Sequence, residues 1–303
     1  MFSSAKAGSF LVAAGMVLSL VIAACTVGVG DVSPRGEYEA AARYGWGGEY
    51  VVRWPISTVE VYDRDGISGL ERVLEKWNEA LQEHIRYKLS DNPRAPVQVL
   101  YDDFLFEREG YCGLAIVWVD EGYSLDRAEV RISPDPSCGD LFSLLLHEFG
   151  HISGFRGHTS DGGVMDSPPG DAVISPLVRE ALEVLYTFPP GSLIPGVSLA
   201  PVEVSGLWGG HITSSAGKEE IAFTLSREGT QVMGTFTLAD KKGMVEGELS
   251  GEVWYFELGN EEKECSTKAH GIANILDGSI LFTFTGSICG LEYPDGFGRV
   301  NRL

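Results

Sequence analysis

His147-Glu148-Phe149-Gly150-His151-Ile152-Ser153-Gly154-Phe155-Arg156-Gly157-His158 is the stretch on which the reading of this chain turns. It holds three of the six histidines in 303 residues, a density that a solvated surface does not call for. His147 and His151 are four residues apart, so on a helix they stack on one face about 6 Å apart along the axis. Both imidazoles can then reach one ion at about 2.1 Å. Glu148 begins on the same turn, where its carboxylate can bond a metal-bound water without ligating. The apolar run Leu141, Leu144 and Leu145 leads into this stretch from Asp140 and supports a helix up to His151. Gly154 is where that helix stops, because a left-handed residue there turns the chain back toward the ion.

Seven residues beyond His158 stands Val164-Met165-Asp166. With the preceding histidines, Glu148 and Gly154, this resembles the metzincin zinc peptidases, in which such a Met forms a turn that floors the metal site. Those enzymes place two residues between the Gly and the third His, whereas Phe155, Arg156 and Gly157 intervene here. His158 is the expected third ligand and Asp161 the alternative, since a carboxylate can also complete a zinc site. No Tyr stands where the astacin-like branch has an extra ligand, so the matrixin-like branch is the closer one. The resemblance runs from about Trp54 to Gly191, including Trp77-Asn78 and Leu185-Tyr186.

That resemblance implies an α+β domain of zincin type, with a twisted mixed sheet and helices. It implies Zn2+ as cofactor, His147, His151 and His158 as metal ligands, Glu148 as catalytic general base and Met165 as the Met-turn. The activity implied is endopeptidase hydrolysis of a peptide or protein substrate, with metal-activated water as nucleophile. Its substrates would lie extended along a sheet edge, either Gly113 to Val119 or Ala128 to Ser133. Propeptide-regulated matrixins cap the zinc with a Cys, and no comparable Cys lies between Cys25 and Cys112.

Away from the motif, Thr58 to Tyr62 alternates like a strand. Ile67, Leu70, Leu74, Trp77, Leu81 and Ile85 then recur at helical spacing over about five turns. Strand-like runs follow at Val97 to Tyr101, Gly113 to Val119 and Ala128 to Ser133. Ser175-Pro176 announces a last helix ending near Tyr186. Residues 25–50, rich in Gly, Ala and acidic side chains without an apolar period, read as a tether. Residues 51–188 read as the zinc peptidase domain, and 189–202, with Pro189, Pro190, Pro195 and Pro201, as a linker.

Residues 203–303 have a different texture. Short β-like runs separated by Gly or charged turns every 8 to 12 residues argue an all-β antiparallel barrel or sandwich. Gly206-Leu207-Trp208-Gly209-Gly210 at its start and Gly298-Arg299-Val300 at its end resemble the small lipocalin-like barrels appended to exported bacterial proteins. Trp208 and Trp254 read as barrel core, and the barrel's ligand is unspecified. His84, His211 and His270 are isolated and take no role.

The N-terminus carries a short apolar run from Phe10 to Ala24, shorter than the ~20 residues of a membrane-spanning helix. It reads as an export signal over residues 1–24. Ile22-Ala23-Ala24-Cys25 resembles the bacterial lipobox, which implies acylation at Cys25, a membrane anchor and an extracytoplasmic location in the cell envelope or at the cell surface. Four cysteines then remain, and the local pairs Cys112 with Cys138 and Cys265 with Cys289 suit two disulfides in an oxidising compartment. With 43 acidic and 23 basic residues the formal charge is -20, which repels phosphate backbones and argues against nucleic acid as a partner. A second reading is an envelope ligand-binding lipoprotein, in which the barrel binds and the zinc domain is not catalytic. Glu148 separates the two, because a purely structural metal site has no use for a general base.

Overall fold

Apolar side chains gather mainly in two places, beneath a five-stranded sheet and inside a closed barrel. The computed structural model describes residues 36–303 apart from 82–83, 215–216, 240, 263–264, 277 and 289. The expected export signal and Cys25 lie outside the described residues, as do Cys289 and the side chain of Cys265. Among the described residues no helix is long and apolar enough to cross a membrane.

The first region is α+β with a mixed sheet. Its helices are α1 (Glu37–Tyr44), α2 (Leu70–Ala80), α3 (Leu105–Glu109), α4 (Leu141–Ile152) and α5 (Pro176–Thr187). Its strands are β1 (Thr58–Asp63), β2 (Arg86–Leu89), β3 (Val97–Tyr101), β4 (Gly113–Val119) and β5 (Leu125–Ile132), ordered β2-β1-β3-β5-β4. All neighbours pair in parallel except β4, which runs antiparallel to β5 and forms one edge. Alternation puts Val59, Val61, Val97, Val99 and Val130 into one core with Trp77, Leu145 and Phe149 of α2 and α4.

Local chemistry explains most boundaries. Asp140 caps α4, its carboxylate accepting from Ser143 N at 2.8 Å, and Ser175 caps α5 ahead of Pro176. Helix α2 is shorter than its apolar period, because the Asp63 carboxylate accepts from Gly66 N and Ile67 N and holds them in a turn. Gly69 then enters the helix at φ 86°, a conformation that favours Gly. Strand β2, with Tyr87 as its one buried residue, and the five-residue α3 carry too little periodicity to be read beforehand.

The reading of residues 25–50 as a structureless tether is corrected for its described part. Residues Glu37–Tyr44 form α1, whose Ala40, Ala41 and Ala42 are fully buried, and α1 packs on α5. Small side chains give almost no amphipathic signal, yet they permit close helix packing. The Pro-rich stretch 189–202 is likewise folded back rather than free. Val51 N donates to Ser192 O at 2.9 Å, Ile194 N donates to Glu49 O at 2.8 Å, and Ile194 is buried.

The second region is a closed antiparallel barrel of eight strands in the order β10-β11-β12-β13-β6-β7-β8-β9. They are β6 (Gly206–Ser214), β7 (Gly217–Glu228), β8 (Gln231–Leu238), β9 (Lys241–Ser250), β10 (Val253–Glu262), β11 (Cys265–Leu276), β12 (Ser279–Ile288) and β13 (Leu291–Arg302). Its interior is filled by side chains. Trp208 and Trp254 are each 1% exposed, and Gly298 and Gly296 leave room for the Phe282 and Phe284 rings, into which a Cβ would drive. On its outer face, Val253 and Ile272 join the core of the first region.

Candidate metal centre

Helix α4 is fixed at its C-terminal end, where helix carbonyls otherwise lack partners. Trp46 Nε1 donates to His151 O and Trp54 Nε1 to Ile152 O, both at 2.7 Å, and Tyr186 Oη donates to Ser153 O at 3.1 Å. One turn earlier, Trp77 Nε1 reaches Leu146 O at 2.9 Å. Gly154 follows the helix at φ 116° and redirects the chain. The loop behind it pairs with the segment after α1: Gly157 N donates to Tyr44 O at 3.0 Å, Gly45 bridges Phe155, and Phe155 stacks on Tyr44 at 5.1 Å. Residues 44–46 thus hold the metal loop.

This support brings His147, His151 and His158 together, with one ligand atom from each lying within 4.8 Å of the others. His147 Nε2 is 3.1 Å from His158 Nε2 and 3.1 Å from His151 Nε2. The Nδ1 atoms of His147 and His151 lie 2.7 Å from the carbonyl oxygens of Val164 and Phe155. A carbonyl only accepts, so each Nδ1 carries a proton and each neutral ring turns a bare Nε2 inward. Burial keeps the rings neutral. It depresses His147 to about 4, His151 to about 3, and His158 well below the ordinary value.

The inward lone pairs of His147 and His151 lie 3.1 Å apart and repel unless a cation sits between them, and His158 Nε2 stands at the same distance from His147 Nε2. Metal–nitrogen bonds of about 2.1 Å in a tetrahedron put ligand atoms roughly 3.4 Å apart, close to the separation here. The donor set therefore fits a divalent metal, and three imidazoles leave a fourth position of a tetrahedral ion to solvent or substrate.

Glu148 is 4% exposed and lies against β4 rather than among the histidines. A Cβ at Gly113 would collide with its Oε1, and the backbone N–H of Ala115 donates to its carboxylate. Burial raises its pKa to about 8, against the lowering effect of the Ala115 hydrogen bond. A carboxyl poised near neutrality can hold or release a proton at little cost, as a general base must. Met165 is fully buried beneath α4 at Gly150, where no side chain would fit above its sulfur.

Asp161, the alternative ligand, is engaged elsewhere. It accepts from Thr159 Oγ1 at 2.9 Å and from Gly163 N at 3.1 Å. Asp166 closes the same loop, sharing the single Thr159 hydroxyl proton at 2.7 Å and accepting from Gly162 N at 2.8 Å. Cys112 and Cys138 form a disulfide, which ties the start of β4 to the 3-10 turn Pro136–Cys138 before α4.

Sequence reasoning missed Trp46, Gly113, Ala115 and Arg156. A Gly opening an otherwise apolar strand was a legible sign of close approach at Gly113. Trp46 and Arg156 gave none, since their partners lie 105 residues or more away, as with His151 for Trp46 and Gly45 for Arg156. Comparison of the chain with protein-family models and with curated proteins returned no match.

Proposed function

We propose that this protein is a zinc-dependent endopeptidase of matrixin-like metzincin type, acting outside the cytoplasm on peptide or protein substrates. The observation that carries the reading is the cluster of His147, His151 and His158 ring nitrogens beside a separate buried carboxyl at a strand edge. A zinc ion held by His147, His151 and His158 would supply a Lewis acid that polarises a scissile carbonyl and acidifies water. Glu148 takes the proton of the attacking water. It then gives that proton to the leaving amine, which balances the hydrolysis. Ala115 orients the Glu148 carboxylate, and Gly113 leaves the space it needs.

Export and anchoring at Cys25 belong to the same proposal and rest on the sequence alone. The ligand-binding alternative draws no support from a barrel interior filled by Trp208, Trp254, Phe282 and Phe284.

Glu148→Gln tests the chemistry. It keeps size and hydrogen bonding while removing basicity, so metal content should stay stoichiometric while turnover falls by about 10²-fold or more. Parental cleavage rates in the purified variant would end the peptidase reading.

A further inference from the structure

The barrel lies against the strand on which a substrate would pair. Along the free edge of β4, the N–H of Ala115 is directed at Glu148. Two residues on, Val117 O accepts a hydrogen bond of 2.8 Å from Thr283 Oγ1 on β12 of the barrel. Two of the outward groups on this edge are therefore spoken for, one by the Glu148 carboxyl and one by the other region. Exposure follows the same division: Gly113 and Ala115 are part-exposed, whereas every residue from Ile116 to Val119 is buried.

Further contacts make this docking a built interface. Trp118 Nε1 donates to Gly296 O at 3.3 Å, and Arg299 donates to Tyr111 Oη at 2.6 Å. Arg156, inside the metal loop, donates to Glu252 Oε2 at 3.1 Å and to Asn274 Oδ1 at 2.5 Å. The barrel thus grips the edge strand and the loop that carries His158.

We propose that Thr283 is a specificity-determining residue of this site: it ends the backbone ladder available to a substrate at Val117. The proposal rests on the peptidase reading above and deepens it. A peptide pairing antiparallel with β4, the more stable ladder, points its N-terminal side toward Val117. Glu148 sits between Gly113 and Ala115, so the scissile bond lies at that level. From Ala115 to Val117 is about 7 Å of strand. A peptide therefore pairs with β4 over only about two residues before its scissile bond, then meets the barrel and leaves the edge. Residues farther upstream gain neither ladder hydrogen bonds nor alternating side-chain pockets from β4.

The test uses the full chain loaded with zinc. A random-sequence peptide library, read by mass spectrometry, first identifies a cleaved sequence. That peptide is then shortened residue by residue from each end. For the parent, removing residues beyond the third on the N-terminal side should change kcat/KM by less than about twofold. In Thr283→Ala, N-terminally longer peptides should gain about threefold or more, mainly through KM, while the shortest peptide is cut as before. Thr283→Ser, which keeps the hydroxyl, should retain the parental length dependence. A loss of about tenfold on removing the fourth or fifth residue in the parent overturns the proposal, whatever happens to the variants. So does a folded, zinc-replete Thr283→Ala chain with unchanged length dependence. Cleavage of no library peptide by the zinc-loaded parent overturns the peptidase reading and this proposal with it.

Discussion

The two regions bury different chemistry. Among the described residues, the buried polar side chains of the barrel, such as Ser250, Ser279 and Thr283, do not titrate in the physiological range, and its interior is aromatic and aliphatic. The sheet region buries His147, Glu148 and His151 within a single helical turn and a half. Burying ionisable groups costs free energy unless a partner or a proton change compensates. A core built for stability alone would have used apolar residues there, as the barrel does. On the proposed reading, the chemistry would lie in the sheet region, with the barrel packed against it.

The largest effect should come from the metal loop. His158→Ala removes one of the three candidate ligands, so metal stoichiometry should collapse and the proposed hydrolysis should fall to background, by more than about 10²-fold. Barrel strands should keep their hydrogen-exchange protection in that variant, because none of the barrel core depends on the histidines. Full metal retention in His158→Ala would break the assignment of His158.

Phe282→Ala is the reciprocal change. The ring is 3% exposed and packs against Phe223 at 5.6 Å and Phe256 at 5.9 Å, so its removal should destabilise the barrel by about 3–5 kcal/mol. Hydrogen exchange should quicken through β10 to β13 while zinc content stays stoichiometric. A loss of zinc of equal extent would mean that the two regions fold as one unit.

The disulfide gives a smaller effect, confined to the sheet region. Cys112 and Cys138 are separated by 26 positions, so replacing both by Ser should lower stability by about 3 kcal/mol through a less restricted unfolded chain. Because Cys112 directly precedes Gly113, kcat/KM should fall with it. An unchanged thermal midpoint in Cys112→Ser/Cys138→Ser would show that the cross-link does not restrict that region.

The last comparison is a pH profile of the metal-free chain. His147 and His151 have folded values of about 4 and 3, below the unfolded value of 6.5, so the unfolded chain binds protons first. Their contribution to stability is therefore lost as pH falls below 6.5. Glu148 has a folded value of about 8 against 4.5 unfolded, so it contributes at low pH and its contribution is lost as pH rises toward 8. The Tm of chelator-treated protein should peak at about pH 6–7, and Glu148→Gln should flatten the alkaline side. An alkaline limb that is the same in both proteins would reject the raised Glu148 value.

What the sequence determined by itself was everything encoded in short spacings. Asp140 and Ser175 marked helix starts, the four-residue step set His147 and His151 on one face, and short β runs between Gly or charged turns pointed to an antiparallel barrel or sandwich. These signals are local because capping and side-chain periodicity act within one or two turns. Tertiary structure alone decided the rest. Helix α1 exists because three alanines fit against α5, and Ala spacing announces no face. Of the two edge strands considered, only β4 lies at the margin of the sheet; β5 is flanked by β3 and β4. His158 rather than Asp161 joins the cluster because Asp161 is consumed by the turn around Thr159 and Gly163. Arg156 and Thr283 draw their meaning from partners in the other region, Asn274 and Val117, separated in sequence by 118 and 166 residues. Such pairings are set by how two finished cores dock, and no local pattern of residues records them.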